Sequence, residues 1–189
     1  MTPGQRGAAR DGRERVGITL IARTRQRDVA GSGAPSPPGF TFRPCDRADI
    51  DALGTLYFSA YDPGVACDSR EAAVADIAAS LGGRYGPLWL AASPVVIDVG
   101  IIAGALLTVR RAAWEPVPPC PFIIEVFTAR THRRRGLARA MLARCLTESR
   151  AAGEPAVALS VEPANTAAWS LYDSLGFVPW TGPCDSGER

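Results

Sequence analysis

The segment of this 189-residue chain that most limits its fold is the passage from an apolar strand into a helix between residues 122 and 152. Phe122 to Thr128 is an apolar run with a single acid, Glu125, and it leads through Ala129 to His132 into Arg133-Arg134-Arg135-Gly136-Leu137-Ala138-Arg139. Leu137, Met141 and Cys145 then recur at helical spacing, which predicts a helix from Gly136 to about Ala152 with that stripe in the core. A strand feeding directly into a helix calls for a layered α/β arrangement, because each element must bury one face against the other. The first turn of such a helix leaves backbone N–H groups without partners and carries the positive end of the helix dipole. Gly136 permits close backbone approach, Ala138 is too small to obstruct a ligand, and the three arginines add positive field. Together these features make a cradle for a phosphate or pyrophosphate. The arginines alone would fit an exposed basic turn equally well.

The rest of the chain supplies the layers. Phe40 to Arg43 reads as a strand, followed by a helix from Arg47 to about Tyr61 with Ile50, Leu53, Leu56 and Tyr57 on one stripe and Asp46 as its cap. A second helix, about Ser69 to Leu81, carries Val74, Ile77, Ala78 and Leu81 and stops at Gly82-Gly83. Leu88 to Ala92 and Gly100 to Arg110 read as paired strands joined by a turn region containing Pro94 and Asp98. Beyond the cradle come a buried strand at Ala156 to Val161, a helix from Asn165 to Leu175 and a short strand from Phe177. Strands and helices alternate without a repeat, so the expected class is α/β, a central sheet covered on both faces.

Residues 1–39 differ in composition. They hold seven arginines against Asp11, Glu14 and Asp28, a net of +4, while the remainder holds 14 arginines against 16 acids. The segment ends in Gly31-Ser-Gly-Ala-Pro-Ser-Pro-Pro-Gly39, which is linker composition. The expected organisation is a mostly disordered basic tail over 1–39 and one domain over 40–189, with at most a short element around Val16 to Ala22. The tail's charge fits an electrostatic contact with nucleic acid or a solvated extension, and the second is expected. No run approaches the ~18–20 apolar residues that span a bilayer: the longest, Val95 to Val109, contains Asp98 and two glycines and reads as strand, turn and strand. The N-terminus lacks the apolar block of a secretory signal. A cytoplasmic location without membrane partners is therefore expected. The cysteines (Cys45, Cys67, Cys120, Cys145 and Cys184) are scattered with no CxxC spacing, which predicts reduced structural thiols and no metal site. All 21 residues in the Lys+Arg total are arginine, so no lysine is available for self-acetylation.

The loop at 133–138 has a companion downstream, Asn165-Thr-Ala-Ala-Trp-Ser-Leu-Tyr172-Asp-Ser-Leu-Gly176-Phe177. The first resembles the acyl-CoA-binding motif of the GCN5-related N-acetyltransferase (GNAT) superfamily, Gln/Arg-x-x-Gly-x-Gly/Ala. The second resembles that superfamily's pattern Asn-x-x-Ala-x-x-Leu-Tyr-x-x-x-Gly-Phe, and the likeness covers roughly residues 40 to 180. It implies the GNAT (acyl-CoA N-acyltransferase) fold, a central mixed, mostly antiparallel sheet with helices on both faces. It also implies an acyltransferase that uses acetyl-CoA as co-substrate, an amine acceptor and no metal. Under that resemblance Arg133, Arg134, Arg135, Gly136, Leu137, Ala138 and Arg139 wrap the pyrophosphate. Val126, Phe127 and Thr128 lie along the acetyl-pantetheine arm, where a backbone N–H could polarise the acetyl carbonyl. Asn165 bonds the pantetheine or holds the end of a splayed strand, and Tyr172 protonates the departing thiolate as general acid.

An amine acceptor must first lose a proton, since a free alkylammonium has a pKa of ~10.4. Glu125 is the first candidate base, in the strand beside the acetyl-binding residues, and Glu162 at the end of the following strand is the second. Strand alternation places Glu125 and Phe127 on one face and Val126 and Thr128 on the other. Two departures from the family stand out. Relatives that acetylate ribosomal-protein N-termini carry a catalytic glutamate five residues before the motif asparagine, where this chain has Ser160. The closing strand is also short, so the usual last strand is either missing or supplied by a partner subunit in a homodimer. His132 reads as an exposed loop residue outside the acceptor cleft. Trp114, Pro116, Pro118 and Pro119 read as shaping the acceptor side. Three readings stay open on this basis: an N-acetyltransferase, a catalytically weak acyl-CoA-binding module with a regulatory role, and a nucleic-acid-associated protein using its arginine tail.

Overall fold

The apolar run Phe122–Thr128 becomes the middle strand of a seven-stranded sheet. The computed structural model describes residues 17–24, 36–62 and 66–182. Numbered along the chain, the strands are β1 (Ile18–Arg23), β2 (Thr41–Pro44), β3 (Pro94–Asp98), β4 (Ile101–Val109), β5 (Phe122–Thr128), β6 (Ala156–Val161) and β7 (Val178–Pro179). They lie in the order β2-β3-β4-β5-β6-β1-β7. Every neighbouring pair is antiparallel except β5 with β6. That parallel pair needs a crossover, which helix α3 (Leu137–Ala151) provides. The sheet is thus mixed and mostly antiparallel, the fold that the two motifs imply.

Helices cover both faces. On one side α1 (Ile50–Ala60) and α2 (Arg70–Leu81) bury Leu53, Leu56, Tyr57 and Ile77 against Val95, Ala105, Leu107 and Phe127. On the other, Leu137, Met141, Leu142, Cys145 and Leu146 of α3 pack on Leu20, Val96, Leu106, Val157 and Leu159. Helix starts follow local chemistry. Asp46 accepts from the Ala48 N–H at 2.8 Å, and Asp49 accepts from the Asp46 N–H at 2.9 Å while holding the Arg43 guanidinium at 2.7 Å. Ser69 accepts from the Ala72 N–H to start α2.

Two expectations are corrected. Leu88 to Ala92 forms no strand: Leu88 makes one bridge to Val109 and Leu90–Ala92 turns as a 3-10 helix. The strand is Pro94–Asp98, in the stretch assigned to a turn when Leu88 to Ala92 is taken as the strand, and it agrees with the strand, turn and strand read over Val95 to Val109. The true hairpin turn is Val99-Gly100, both at positive φ (43° and 81°), so Gly100 ends the pairing instead of opening a strand. Secondly, the sheet begins before the boundary expected at Phe40. Ile18–Arg23, at the short element around Val16 to Ala22 that the tail could hold, pairs with all six residues of β6, from Ile18 opposite Val161 to Arg23 opposite Ala156. Its other edge pairs with β7. β1 thus lies between β6 and the short closing strand β7. Residues 1–16 and 25–35 lie outside the described residues, as does Cys184.

β6 divides its bonding unequally. It meets β5 only at Phe122 opposite Ala158 and Ile123 opposite Leu159. Beyond that point β5 and β6 part, while β6 stays in register with β1.

Leu20 is fully buried at the centre of β1. Leu20→Ala is expected to lower unfolding free energy by about 2–5 kcal/mol, the usual cost of a buried large-to-small change. Denaturant titration reads this directly, and a variant as stable as the parent would place β1 outside the cooperative core.

Candidate active site

Where β5 and β6 part, a cavity of about 350 Å³ opens. One wall is β5, with Glu125 and Val126; the facing wall is the end of β6, with Ser160, Val161 and Glu162. Gly17, just ahead of β1, completes that side. Helix α4 (Thr166–Asp173) contributes Tyr172, with Asn165 at its start. Aromatic residues complete the lining: Tyr85 after α2, Trp114 in the β4–β5 loop and Phe122 at the start of β5, and Tyr61, which follows the Ala60 that Arg133 holds.

A bulge sets the side-chain directions in β5. Glu125 lies opposite Leu107, but Ile123 lies opposite Thr108, leaving Ile124 as the extra residue. Past the bulge, Glu125 and Phe127 face α1 and Val126 faces α3, the alternation the sequence requires. Tyr57 donates its hydroxyl to Glu125 Oε1 at 3.4 Å. Phe127 is buried edge-on against Tyr57, with centroids 5.3 Å apart, so its side chain belongs to the core and only its backbone can meet a ligand. On the side facing the gap, β5 beyond Ile123 has no strand neighbour among the described residues.

Tyr172 is half-buried, tilted on Phe177 at 5.8 Å and packed on the α3-side core. Burial pushes its phenol up to about 12, and the charge of Glu125 adds to the effect. The hydroxyl therefore keeps its proton at neutral pH. Asn165 caps α4, its Oδ1 accepting from the Ala168 N–H at 3.1 Å.

Past the end of β5 the chain turns through Arg130–His132, extends at Arg133, and enters left-handed backbone at Arg134 (φ 63°) and Gly136 (φ 77°). Gly136 is the N-cap of α3 and has no side-chain cap, so the first N–H groups of the helix are left to a ligand or solvent. A β-carbon at Gly136 would meet only Pro37 Cγ at 3.9 Å, so glycine is used there for its conformation. The arginines divide their work. Arg133 donates to the Ala60 carbonyl, tying the loop to α1, and Arg139 donates to Ser174 Oγ at 2.6 Å. Arg134 and Arg135 are exposed; Leu137 is buried and Ala138 half-buried.

The sequence-selected residues thus gather in two adjoining places. Glu125, Val126, Asn165 and Tyr172 line the cavity, as does the second carboxylate, Glu162. Thr128 and Arg133 to Arg139 form the cradle beyond β5, outside the lining. Trp114 lines the cavity; Pro116, Pro118 and Pro119 do not. His132 departs from expectation, being half-buried, with Nε2 2.9 Å from Asp98 Oδ2 and Nδ1 2.9 Å from Thr131 Oγ1. It pins the cradle to the β3–β4 hairpin and lies outside the cavity lining. Sequence reasoning missed Tyr61, Tyr85 and Gly17. Tyr61 read as the last residue of a helix, Gly17 lay in the supposed tail, and Tyr85 carried no signal. Among the described residues no group of His, Cys, Asp and Glu could hold a metal ion, and no helix is long and apolar enough to cross a membrane. Cys45, Cys120 and Cys145 are buried, and burial raises their thiols to about 12, 11 and 11, well above reactive range.

Residues 85–177 match the model of the acetyltransferase (GNAT) family. The structure is similar to a GCN5-related N-acetyltransferase from Sphaerobacter thermophilus, with a TM-score of 0.62 and 19% identity over 95% of this chain. This chain spans only 55% of that protein's length. It is also similar to the ribosomal-protein-S18-alanine N-acetyltransferase from Escherichia coli, with a TM-score of 0.57 and 23% identity over 75% of this chain and 79% of the other. A third likeness is to the aminoglycoside N-acetyltransferase AAC(6')-Iy in complex with CoA, with a TM-score of 0.57 and 21% identity over 74% and 88% of the two chains. At these identities the likenesses establish the fold. No curated protein sequence matches the chain.

The raised pKa of Tyr172 has a definite pH consequence. The folded state disfavours the phenolate, so this contribution to stability is complete below the ordinary pKa of 10 and fades as pH rises through about 12. Tyr172→Phe is expected to flatten the fall in Tm between pH 10 and 12. An unchanged alkaline slope would mean that Tyr172 titrates as an exposed tyrosine.

Proposed function

We propose that this chain, which through residues 85–177 belongs to the acetyltransferase (GNAT) family, transfers an acetyl group from acetyl-CoA to an amine within a ternary complex. The observation that carries the reading is continuity. A parted strand pair holding a carboxylate and a proton-bearing tyrosine runs into an uncapped helix start wrapped by arginines.

In this reading Gly136, Leu137, Ala138 and Arg139 present the first N–H groups of α3 to the pyrophosphate, and Arg134 and Arg135 supply charge around it. Arg133 acts differently from its neighbours, fixing the loop through Ala60. The gap-facing edge of Val126, Phe127 and Thr128 holds the pantetheine arm by backbone bonds, and a β5 N–H polarises the acetyl carbonyl. Asn165 orients the start of α4 beside it. The fit rests on shape and chemistry in this chain: an edge without a strand neighbour on one side and an uncapped helix start at its end.

Glu125 takes one proton from the ammonium, directly or through water, and leaves a nucleophilic amine. As the new C–N bond forms the C–S bond breaks, and Tyr172 gives its proton to the thiolate. The amine's second proton, lost as the amide forms, replaces the one Tyr172 gave up. Holding both reactants in one cavity supplies the orientation that direct attack requires.

The test is turnover of acetyl-CoA with a panel of amine classes, read as release of free thiol. Acetyl-CoA binding without turnover on any class would instead fit an acyl-CoA-binding module. Tyr172→Phe is expected to lower kcat by about 100-fold or more, the lower range for a lost general acid, with acetyl-CoA affinity within about twofold. A large loss of affinity with kcat preserved would make Tyr172 a packing residue. Glu125→Gln is expected to lower kcat/KM and to abolish the acidic limb of its pH profile; a retained limb would move the base to another group.

A further inference from the structure

The last turn of α1 is fastened to β5 at two levels. The loop that continues β5 grips it from the end. Arg130 donates to the Ser59 carbonyl at 3.0 Å and pairs with Asp62 at 2.6 Å, and Arg133 donates to the Ala60 carbonyl. Cations suit these positions, because the closing carbonyls of a helix lack intrahelical partners and carry the negative end of its dipole. One turn nearer the helix start, Tyr57 is fully buried, its ring edge-on to Phe127 of β5 and to Tyr61, with centroids 5.3 Å apart in both pairs. A ring held from two sides keeps its hydroxyl where the packing puts it, and that place is beside Oε1 of Glu125. At 3.4 Å the bond is long, so the packing rather than the bond sets the separation.

Tyr57 itself is outside the cavity lining, whereas Glu125 is part of it. A glutamate side chain turns about several torsions, and without a hold on its carboxylate Glu125 would spread over rotamers that do not all reach an amine in the cavity. We infer that Tyr57 is a positioning residue for Glu125, touching no reactant and fixing through its hydroxyl where the base points. This rests on the acetyltransferase reading and gives α1 a part in it that neither sequence motif carries. The hydroxyl acts in a second way, since a donor to a carboxylate favours the ionised form, which is the form that accepts a proton. The grip of Arg130 and Arg133 on Ser59 and Ala60 keeps the helix that carries Tyr57 in place against the strand that carries Glu125.

Tyr57→Phe removes the hydroxyl and keeps the ring with its two edge-on contacts. Carbon-13 NMR titration of the full chain labelled at its glutamate carboxyls reads the effect without any acceptor, with the Glu125 signal identified by its loss in Glu125→Gln. Tyr57→Phe is expected to raise the Glu125 titration midpoint by about half a pH unit or more, the direction for a carboxylate that loses a donor. Acetyl-CoA affinity, read by calorimetry, is expected to stay within about twofold. In thiol release from acetyl-CoA with n-propylamine, kcat/KM is expected to fall about tenfold and its acidic limb to move upward with the Glu125 midpoint. In the Glu125→Gln background the same substitution is expected to cost less than about twofold, because the group it acts through is already gone. An unmoved Glu125 midpoint, or a full tenfold loss repeated in the Glu125→Gln background, overturns the inference and makes Tyr57 a packing residue. A parent chain that binds no acetyl-CoA overturns the acetyltransferase reading instead, and the Glu125 midpoint still decides what Tyr57 does.

Discussion

A β-strand has two edges to satisfy, and β6 spends one almost wholly on β1 and only a little of the other on β5. Six paired residues on one side against two on the other fix where the sheet stays closed and where it opens. Because β1 keeps β6 straight and in register, β5 can diverge after Ile123 without exposing both strands. The bulge at Ile124 adds to the divergence and turns Glu125 toward Tyr57. Without β1, the outer edge of β6 would be a row of unpaired backbone groups beside a buried core, which folded proteins avoid. The cavity is therefore a consequence of hydrogen-bond allocation, and its polar residues stand on strands whose positions are set from outside it.

The cradle obeys a separate logic and meets the cavity at the end of β5. Left-handed backbone at Arg134 and Gly136 turns the chain so that α3 starts with its amides uncovered. The same loop is clamped at both ends. Arg133 binds the last turn of α1, and His132 binds Asp98 on the β3–β4 hairpin. A positively charged loop gains rigidity from these contacts, and a rigid anion site loses less entropy when a ligand binds. Arginines that looked alike in sequence thus divide into anchors and exposed charge.

What could be read from the sequence was local. The strand Phe122–Thr128, the helix behind Gly136, the helix from Asn165 and the strand Ala156–Val161 all announced themselves through apolar patterning, whereas the capping role of Asn165 did not. Glu125 and Tyr172 could be singled out, and strand alternation gave the direction of Glu125. The failures were long-range or rested on special backbone. At Ile18–Arg23 the sequence offered only a short element within arginine- and glycine-rich surroundings; it is a sheet strand because of β6, a partner near the other end of the chain. Val95 to Val109, broken by Asp98 and two glycines, reads by itself as strand, turn and strand, which is the hairpin; pairing Gly100 to Arg110 with Leu88 to Ala92 instead misplaced the first strand, and the positive φ at Val99 carried no signal. Tyr61 and Tyr85 became cavity walls only through packing, which no spacing rule reports.

The claim that joins these features is that one ligand lies along the open edge of β5 and ends on the start of α3. Hydrogen–deuterium exchange of the full chain, with and without coenzyme A, tests it most directly. The account predicts slower exchange confined to the amides of Val126–Thr128 and of residues 134–139, with the amides that β1 and β6 bond to each other unchanged. Protection elsewhere, or at only one of the two segments, would contradict it.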